Sequence, residues 1–297
     1  MTRPLRIGLA LGAGAARGWG HIGVLRALQA EGVHADVVCG CSIGAFVGAA
    51  YVSDELDRLE GWVASLRWQQ VIALLDPGFR GGLIRGRKLV DFFHGHFEDR
   101  DIGVLGKPFA CVATDLDSGR EVWLRDGSVF DAVRASIALP GLLTPLARDG
   151  QLLVDGALVN PVPVSLCRAL GADVVIAVDL GSERIGRNGR GDTADVPGWR
   201  QRLFGRFGFE GGKSEEANLP SLIEVLSASL NIMQVRIARS RMAGEPADVV
   251  VAPRLAHIGL MDFHRGGEAI AEGRAAVERM LPAIRHALSD AAAQLPR

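Results

Sequence analysis

Short apolar runs alternate with helical patterns along most of the 297-residue chain, and this alternation narrows the choice of fold more than any other feature. The strand candidates are Leu5 to Leu11, Ala35 to Cys41, Pro108 to Thr114, Arg120 to Leu124, Gln151 to Asp155, Asp173 to Asp179 and Asp248 to Ala252. Between them lie helical runs such as Gly20 to Glu31, Arg87 to Phe97, Val129 to Leu139 and Val162 to Leu170. Repeated strand-helix alternation predicts an α/β fold with a parallel sheet that helices cover on both faces. Hydrophobic residues make up 48% of the chain, which is enough to bury a large core.

One turn between a predicted strand and a predicted helix carries a Gly-x-Ser-x-Gly motif. Gly40 to Gly44 read Gly-Cys-Ser-Ile-Gly, directly after the apolar run Val37 to Cys39 and directly before the helix-like stretch Ala45 to Val52. A nucleophile elbow needs this context, because its glycines leave room for a strained turn that lifts the serine hydroxyl clear of the sheet at a helix N-terminus. The alternative is a glycine-flanked turn in which Ser42 only caps the following helix. Ser42 is therefore a candidate nucleophile.

A second glycine-rich turn follows the first predicted strand. Gly12 to Gly18 read Gly-Ala-Gly-Ala-Ala-Arg-Gly and precede a helical pattern of Ile22, Leu25 and Leu28. Small residues there let backbone amides approach a ligand oxygen, and the helix start adds a positive partial charge. A dinucleotide fingerprint needs glycine where this chain has Arg17, and a Walker A loop needs a lysine that this loop lacks. The turn therefore fits an anion hole for a reaction intermediate better than a phosphate cradle, and a close-packed structural turn stays the alternative.

A carboxylate ends another short apolar strand. The segment Leu152 to Ala157 reads Leu-Leu-Val-Asp-Gly-Ala. An aspartate at the carboxyl end of a strand in an open α/β sheet points into the crevice where ligands bind. An Asp-Gly pair also suits an ordinary turn. Asp155 is therefore a candidate for the same crevice as Ser42.

Together, these segments resemble the patatin-like phospholipase family, and more closely its bacterial members related to the neuropathy target esterase branch. The family's glycine-rich block ending in Arg-Gly is similar to Gly12 to Gly18, its Gly-x-Ser-x-Gly to Gly40 to Gly44, and its Asp-Gly-Gly/Ala to Asp155 to Ala157. A fourth block, Ala135 to Gly141, is similar to the Ala-Ser-x-Ala-x-Pro segment of the family. One departure is Ala13, where many members carry the middle glycine of Gly-Gly-Gly, and its methyl group bears on the shape of the loop.

The resemblance implies a three-layer αβα patatin-like fold with a mostly parallel central sheet. It also implies a serine hydrolase with a Ser-Asp dyad, in which Ser42 is the nucleophile and Asp155 the general base, that cleaves phospholipid or lysophospholipid esters through an acyl-enzyme. Because an aspartate is a weak base in water, burial must raise its pKa or the alkoxide must be strongly stabilised. The expected oxyanion-hole residues are Gly12, Gly14, Ala15 and Ile43, and the expected supporting residues are Arg17, Gly18, Gly40, Gly44 and Gly156. Arg17 would steady the loop or meet a phosphate group of the substrate.

A conventional triad in the chain order Ser, Asp, His is the alternative mechanism. Among the histidines after Asp155, His264 lies in a polar stretch ahead of the last helix and is the one to test, although a capping or surface histidine is the simpler interpretation. His21, beside the glycine-rich loop, suits a structural hydrogen bond. His94 and His96 make a weak metal site because no cysteine ligands lie nearby. We expect neither a metal nor an organic cofactor.

Two other functions fit the same residues. One is a non-lipid carboxylesterase or thioesterase with the same dyad, which a comparison of micellar with soluble substrates would distinguish from a lipid hydrolase. The other is a regulatory binding protein with negligible turnover, for which a missing part of the site would be the sign. All parts of the site are present in this sequence.

Charge and cysteine content limit the partners and the compartment. The formal net charge of −1 provides no field to recruit nucleic acid or anionic lipid. The cysteines are Cys39, Cys41, Cys111 and Cys167. They form no Cys-x-x-Cys pair and suit buried free thiols in a reducing cytoplasm.

The N-terminus resembles a signal peptide, because Arg3 and Arg6 precede an apolar run. The same run supplies the first strand and the glycine-rich loop, so we expect it to be retained. We expect a cytoplasmic protein without a membrane span, at most peripheral at the inner membrane surface.

We expect a single catalytic domain over residues 1–297. The motifs described above fall within residues 5–180, and helices and a strand are predicted for residues 219–297. In this C-terminal part, the helices Ser221 to Met242 and Gly267 to Gln294 are predicted to be scaffold around the sheet. The sequence does not define the oligomeric state.

The segment 183–218 breaks the regular pattern, because it is rich in glycine and charged residues and poor in aliphatic ones. Its length and composition predict an insertion that is disordered or that covers the cleft. Within it, residues 199–209 mix aromatic side chains with arginines. This composition suits transient contact with a membrane surface, where rings enter the headgroup zone and arginines meet phosphates.

Overall fold

The computed structural model describes residues 3–74, residue 95, and residues 98–181 and 222–294. The strands in these ranges are β1 Ile7–Leu11, β2 Val37–Cys41, β3 Phe109–Asp115, β4 Glu121–Leu124, β5 Leu146–Arg148, β6 Gln151–Asp155, β7 Val174–Val178 and β8 Val249–Val251. The α-helices are α1 Gly20–Ala30, α2 Ile43–Val52, α3 Leu56–Ser65, α4 Trp68–Leu74, α5 Val129–Ser136, α6 Val164–Ala169, α7 Leu222–Gly244 and α8 Gly266–Gln294. Short 3-10 helices cover Ala15–Trp19, Ile102–Val104, Gly156–Leu158 and Phe263–Arg265.

The eight strands form one sheet. Its order is β5-β6-β3-β2-β1-β7-β8, with β4 also paired to β3. The five strands β3, β2, β1, β7 and β8 are parallel, whereas β4 and β6 run antiparallel to β3. Helices cover both faces of this sheet. The predicted three-layer αβα fold with a mostly parallel central sheet is therefore confirmed.

Alternate residues of the buried strands enter two separate cores. In β1, Leu9 and Leu11 pack in the core that includes α1, α2, α3, α5 and α8, whereas Ala10 lies on the opposite face with residues of α6 and α7. This separation follows from the strand geometry, since successive side chains point to opposite faces of a sheet. A strand that is covered on both faces must be apolar throughout, which explains the continuous apolar runs in the sequence.

Two strands meet end to end along β3, and this junction positions the candidate site. β4 pairs with one edge of β3. β2 and β6 share the other edge, since β2 pairs with the first part of β3 and β6 with the part that follows. Val112 pairs with Cys41, the last residue of β2, and the next residue, Ala113, pairs with Asp155, the last residue of β6. Since β6 runs antiparallel to β3, the carboxyl ends of β2 and β6 point at each other. The turn that follows β2, which begins with Ser42, therefore lies beside Asp155.

Some predicted elements differ from the structure or lie outside its described part. The helix predicted over Val129 to Leu139 ends at Ser136, because Pro140 disfavours helical geometry in the residue before it. The helix predicted over Arg87 to Phe97 lies outside the described residues except for Gly95, and the segment 183–218 lies outside them entirely. Among the helices that the structure describes, none is both long enough and apolar enough to cross a membrane.

Candidate active site

Ser42 lies in the tight turn between β2 and α2. Its φ of 54° and ψ of −126° fall in a sparsely populated backbone region, which costs about 1–3 kcal/mol. Two glycines make the turn possible: a Cβ atom on Gly40 would lie 2.3 Å from Ala45 Cα, and one on Gly44 would lie 2.1 Å from the Leu11 carbonyl oxygen. The Ser42 side chain makes no capping hydrogen bond to α2, so the alternative of a simple helix cap is wrong.

The Ser42 hydroxyl donates a hydrogen bond to the Asp155 carboxylate. The distance from Ser42 Oγ to Asp155 Oδ2 is 2.6 Å, and the second carboxylate oxygen, Oδ1, accepts from the Ala157 N–H at 2.8 Å. Asp155 is 1% exposed. Burial raises the pKa of its carboxyl from 3.8 to about 6, against the two hydrogen bonds, which lower it. A carboxylate with a raised pKa binds a proton more tightly, so this environment makes Asp155 a stronger base than an aspartate in water.

Ser136 holds the backbone of the Ser42 turn, a role that the sequence analysis missed. Its Oγ accepts from the Ser42 N–H at 2.9 Å and donates to the Val112 carbonyl at 2.7 Å, and the side chain is fully buried. The Ser136 hydroxyl thereby links the turn after β2 to β3, at the point where the chain leaves the sheet. The signal in the sequence was the segment Ala135 to Gly141, which the family resemblance included without a role for its serine.

Three backbone amides beside Ser42 are available to a ligand. The N–H groups of Gly14, Ala15 and Ile43 have no hydrogen-bond acceptor in the described part of the chain. All three residues line the cavity that Ser42 faces. Ile43 is the first residue of α2 and Ala15 is the first of a 3-10 helix, so both amides are free by position, since the first amides of a helix have no partner inside it.

Gly12 has a different role from the one predicted. Its N–H donates to the Val178 carbonyl at 3.0 Å, so it is not free to bind an oxyanion, and the prediction of Gly12 as an oxyanion donor is wrong. The Gly12 carbonyl lies 2.7 Å from Nε2 of His21, which is fully buried in α1. Burial lowers the pKa of His21 to about 4, so the imidazole is neutral and donates from Nε2. The predicted structural hydrogen bond of His21 is confirmed.

Among the predicted supporting residues, Arg17 joins the glycine-rich loop to its neighbours, and the glycines allow close packing. Arg17 is 2% exposed and donates from Nη1 to the Leu180 carbonyl at 3.2 Å and from Nη2 to Asn231 Oδ1 at 2.9 Å. These bonds join the loop to the end of β7 and to α7. Gly18 and Gly156 lie where a Cβ atom would come within 2.2 Å of a neighbouring atom.

Ser42 and Asp155 open into a cavity of about 180 Å³. Its described walls are mainly apolar and come from residues 13–71, 137–155 and 230–263, with side chains such as Phe46, Trp62, Leu139, Leu143, Met261 and Phe263. A pocket of this kind, with few polar groups, orients a ligand through those groups and binds hydrocarbon along the rest.

Among the residues that the structure describes, no histidine reaches this site. Of the histidines that it describes, none lines the cavity or bonds to Ser42 or Asp155. His264 is exposed, in the 3-10 helix before α8, so the hypothesis of a triad through His264 is wrong. His94 and His96 lie outside the described residues. In the described ranges, no three His, Cys, Asp or Glu side chains cluster in a way that could hold a metal ion.

Two further polar side chains line the cavity, Asn231 and Gln234 of α7. The apolar stripe of this helix predicted packing alone, and nothing in the sequence relates a residue near position 231 to Ser42. The Arg17 bond to Asn231 and the shared cavity reveal the relation.

Comparisons with known proteins agree with the motifs. A family model described as patatin-like phospholipase matches residues 9–168. A protein of Mycobacterium tuberculosis, described as an uncharacterized NTE family protein, is 31% identical over 331 aligned positions that cover 94% of this chain and 92% of that protein. Lysophospholipase NTE1 of Coccidioides immitis is 29% identical and is matched over 88% of this chain and 17% of its own length. Patatin-like phospholipase domain-containing protein 6 of Homo sapiens is 39% identical over 60% of this chain and 13% of its own length.

Proposed function

The chain belongs to the patatin-like phospholipase family, and from this premise we propose that it is a serine lipid acyl hydrolase that cleaves carboxylic ester bonds of phospholipids or lysophospholipids. The observation that carries the proposal is the 2.6 Å hydrogen bond from Ser42 Oγ to Asp155 Oδ2 in a mainly apolar cavity. The apolar walls favour a lipid acyl chain over a small polar ester.

In the first half of the reaction, Ser42 Oγ attacks the ester carbonyl carbon while Asp155 takes the hydroxyl proton. The carbonyl oxygen becomes an oxyanion, and the free N–H groups of Gly14, Ala15 and Ile43 are available to bind it. Loss of one such donor typically costs about 3 kcal/mol in the barrier, so these amides supply much of the catalysis. Collapse of the intermediate breaks the ester bond, and Asp155 returns the proton to the leaving alcohol. An acyl group remains on Ser42.

In the second half, water takes the place of the alcohol. Asp155 accepts a proton from the water as its oxygen attacks the acyl carbonyl, and the same amides stabilise the second oxyanion. When the bond to Ser42 Oγ breaks, the proton on Asp155 passes to the serine oxygen. The products are a free carboxylic acid and the alcohol part of the lipid, and the enzyme returns to its starting state. The resting bond from Ser42 to Asp155 supports a dyad in which one carboxylate serves both halves.

The test is labelling by a fluorophosphonate probe together with hydrolysis of a lysophospholipid. Ser42→Ala should abolish both, because it removes the nucleophile, and Asp155→Asn should reduce both strongly, because it removes the base. Ser289→Ala is the matched control, since Ser289 lies exposed on α8 and bonds only to helix carbonyls. A folded wild-type protein that is neither labelled nor active would refute the hydrolase and favour a binding protein. Labelling with turnover of soluble esters alone would favour the non-lipid esterase or thioesterase.

We also propose that residues 199–209 contact the membrane surface transiently while substrate enters. Their mixture of aromatic side chains and arginines supports this, and these residues lie outside the described part of the structure. Deletion of residues 199–209 should reduce binding to phospholipid vesicles in a flotation assay. Unchanged vesicle binding after the deletion would refute the contact.

A further inference from the structure

The described walls of the cavity contain four polar side chains. Two belong to Ser42 and Asp155, which bond to each other. The other two, Asn231 and Gln234, are uncharged carboxamides that the proposed mechanism does not use. Polar groups in the wall of an apolar pocket usually fix the orientation and identity of the ligand. These two carboxamides are therefore the side chains in the described wall that can bind a polar group of the ligand.

Arg17 fixes the orientation of the Asn231 amide. Asn231 is 7% exposed, and its Oδ1 accepts from Arg17 Nη2 at 2.9 Å. A guanidinium group has donors only, so the amide oxygen must face Arg17 and the amide nitrogen must point elsewhere. In the described part of the chain, Nδ2 of Asn231 has no acceptor. The buried residue thus offers an unused N–H donor in the wall of the cavity.

Gln234 lies on the same face of α7, three residues further along, where side chains of a helix are neighbours. It is half-buried, and neither its amide oxygen nor its amide nitrogen has a partner within the described residues. The pair therefore combines the N–H donor of Asn231 with a complete amide group on Gln234. Both belong to the cavity that contains the Ser42 hydroxyl.

We propose that Asn231 and Gln234 form a specificity site for a free hydroxyl group on the alcohol part of the substrate, close to the scissile ester. This assignment rests on the proposed hydrolase function. A hydroxyl can accept from Asn231 Nδ2 and donate to Gln234 Oε1 at the same time, whereas an ester or ether oxygen can only accept.

The charge of the site points to the same ligand group. Carboxamides are neutral and match an uncharged partner. No lysine or arginine is among the described residues that line the cavity, although a phosphate would be bound best by such cations. The site therefore selects a single-chain lipid ester with a hydroxyl group beside the ester over a lipid in which that hydroxyl is acylated.

The test compares two substrates that differ in one oxygen. One is a 1-acyl-glycerophosphocholine, and the other is its analogue with hydrogen in place of the 2-hydroxyl, both used below their micelle concentrations so that an interface plays no part. We expect the wild-type kcat/KM to be higher for the hydroxyl-bearing substrate by about tenfold or more, because a site built to bond a hydroxyl leaves its polar groups unpaired around the analogue.

Two variants assign the preference to the pair. Asn231→Asp keeps an oxygen for Arg17 and removes the N–H donor, and Gln234→Met keeps the size of the side chain and removes its amide. In each variant we expect the ratio of the two kcat/KM values to fall toward one, through a higher KM for the hydroxyl-bearing substrate. Ser229→Ala, an exposed polar position on the same helix, should keep the wild-type ratio.

Each outcome separates this assignment from the hydrolase function. If the variants lower both kcat/KM values by the same factor, the pair has a structural role only and the assignment fails. A wild-type protein that hydrolyses both substrates equally also overturns the assignment and leaves the hydrolase intact. A wild-type protein that hydrolyses neither and takes up no fluorophosphonate overturns both. If Asn231→Asp fails to fold, Gln234→Met decides, since its side chain has no bond to lose in the described structure.

Discussion

At the scale of single residues, the burial of the Asp155 carboxyl, the proposed general base, lowers the stability of the folded protein at neutral pH. Burial removes the water that would solvate the charged carboxylate, and this raises the pKa of Asp155 to about 6. The same change makes the carboxylate a better acceptor for the Ser42 proton. The folded protein must then hold a charged carboxylate out of water at neutral pH, and its two hydrogen bonds offset only part of that cost. Two measurable consequences follow, one for the rate and one for the free energy of unfolding.

The rate should depend on the protonation of Asp155. We expect kcat/KM for a soluble ester to be constant above pH 7 and to fall about tenfold for each pH unit well below pH 6, because protonated Asp155 cannot accept the Ser42 proton. The measurement is a series of initial rates between pH 5 and 8. His21 does not interfere, because burial lowers its pKa to about 4. A profile that stays flat down to pH 5 would contradict the assignment of Asp155 as the base.

The stability should change with pH in the sense set by the raised pKa. Because the folded-state pKa of about 6 exceeds the ordinary value of 3.8, the folded protein binds the proton more tightly than the unfolded chain. The stability advantage of protonated Asp155 is therefore complete below pH 3.8, is lost as the pH rises through 6, and amounts to roughly 3 kcal/mol.

Asp155→Asn removes the charge while keeping the size of the side chain. We expect this variant to be more stable than the wild type at pH 8, with an advantage of up to about 3 kcal/mol that falls to roughly half at pH 5. Denaturant unfolding of both proteins at the two pH values measures the difference. An equal difference at both pH values would show that Asp155 titrates normally.

Sequence motifs located the candidate reacting pair but not the residues that surround it. Ser42 directly follows β2 and Asp155 ends β6, each has a glycine within two residues, and the topology of an α/β sheet brings such positions to one crevice. Asn231 carries no local signal, because its position in the cavity depends on how α7 packs against the sheet. The hydrogen bond from the Gly12 N–H to the Val178 carbonyl also has no local signal in the sequence, since its acceptor lies in a strand more than 160 residues away. Contacts of this range follow from packing and are not encoded in a short motif.

At the scale of elements, α1 and α8 approach so closely that glycine is required at their crossing. A Cβ atom on Gly23 would lie 1.9 Å from the Ile270 carbonyl oxygen, and one on Gly273 would lie 2.0 Å from the Gly20 carbonyl oxygen. Both obstacles are backbone atoms of the partner helix, which cannot move without separating the helices. This contact holds α8 on the sheet face that carries the Ser42 turn.

We expect Gly23→Ala and Gly273→Ala to destabilise the protein by about 2 kcal/mol or more, although alanine is the better helix former, because overpacking at the crossing outweighs propensity. Gly61→Ala is the matched control, since Gly61 is exposed in α3 and has no atom near its Cβ position. That change should stabilise the protein by roughly 0.5–1 kcal/mol. Thermal unfolding measures all three, and a Gly23→Ala variant as stable as the wild type would contradict the close crossing.

The strands were predictable from the sequence to within about two residues, because apolar runs bounded by glycine, proline or charge define them well. Strand β5 was not predicted; it has three residues, is not fully buried and ends in Arg148. A short edge strand needs only a partner, here β6, and leaves little pattern of its own. The way β2 and β6 share one edge of β3 was not predicted either, since strand pairing is a property of the whole sheet.

At the scale of the whole molecule, the candidate site depends on segments from both ends of the chain. Trp19 lies against Trp62 and Phe263 with ring centroids 5.8 and 6.0 Å away, and its Nε1 donates to the Phe263 carbonyl at 3.1 Å. All three side chains line the cavity. The family model ends at residue 168, whereas β7 and β8, beyond it, belong to the same sheet. We therefore propose that residues 1–297 act as one catalytic domain.

A single domain predicts that every probe reports the same unfolding transition. Tryptophan fluorescence reports the five tryptophans together, among them Trp19 and Trp62 of the cavity wall. Far-ultraviolet circular dichroism reports mainly the helices, including α8, and fluorophosphonate labelling reports the geometry at Ser42. We expect the three signals to change at the same denaturant concentration. Unfolding of α8 would remove Phe263 from the cavity wall and would also remove the helix against which α1 packs. If helical signal were lost first while Ser42 still reacted with the probe, the C-terminal part would be a separate unit, and the cavity described here would not be needed for labelling.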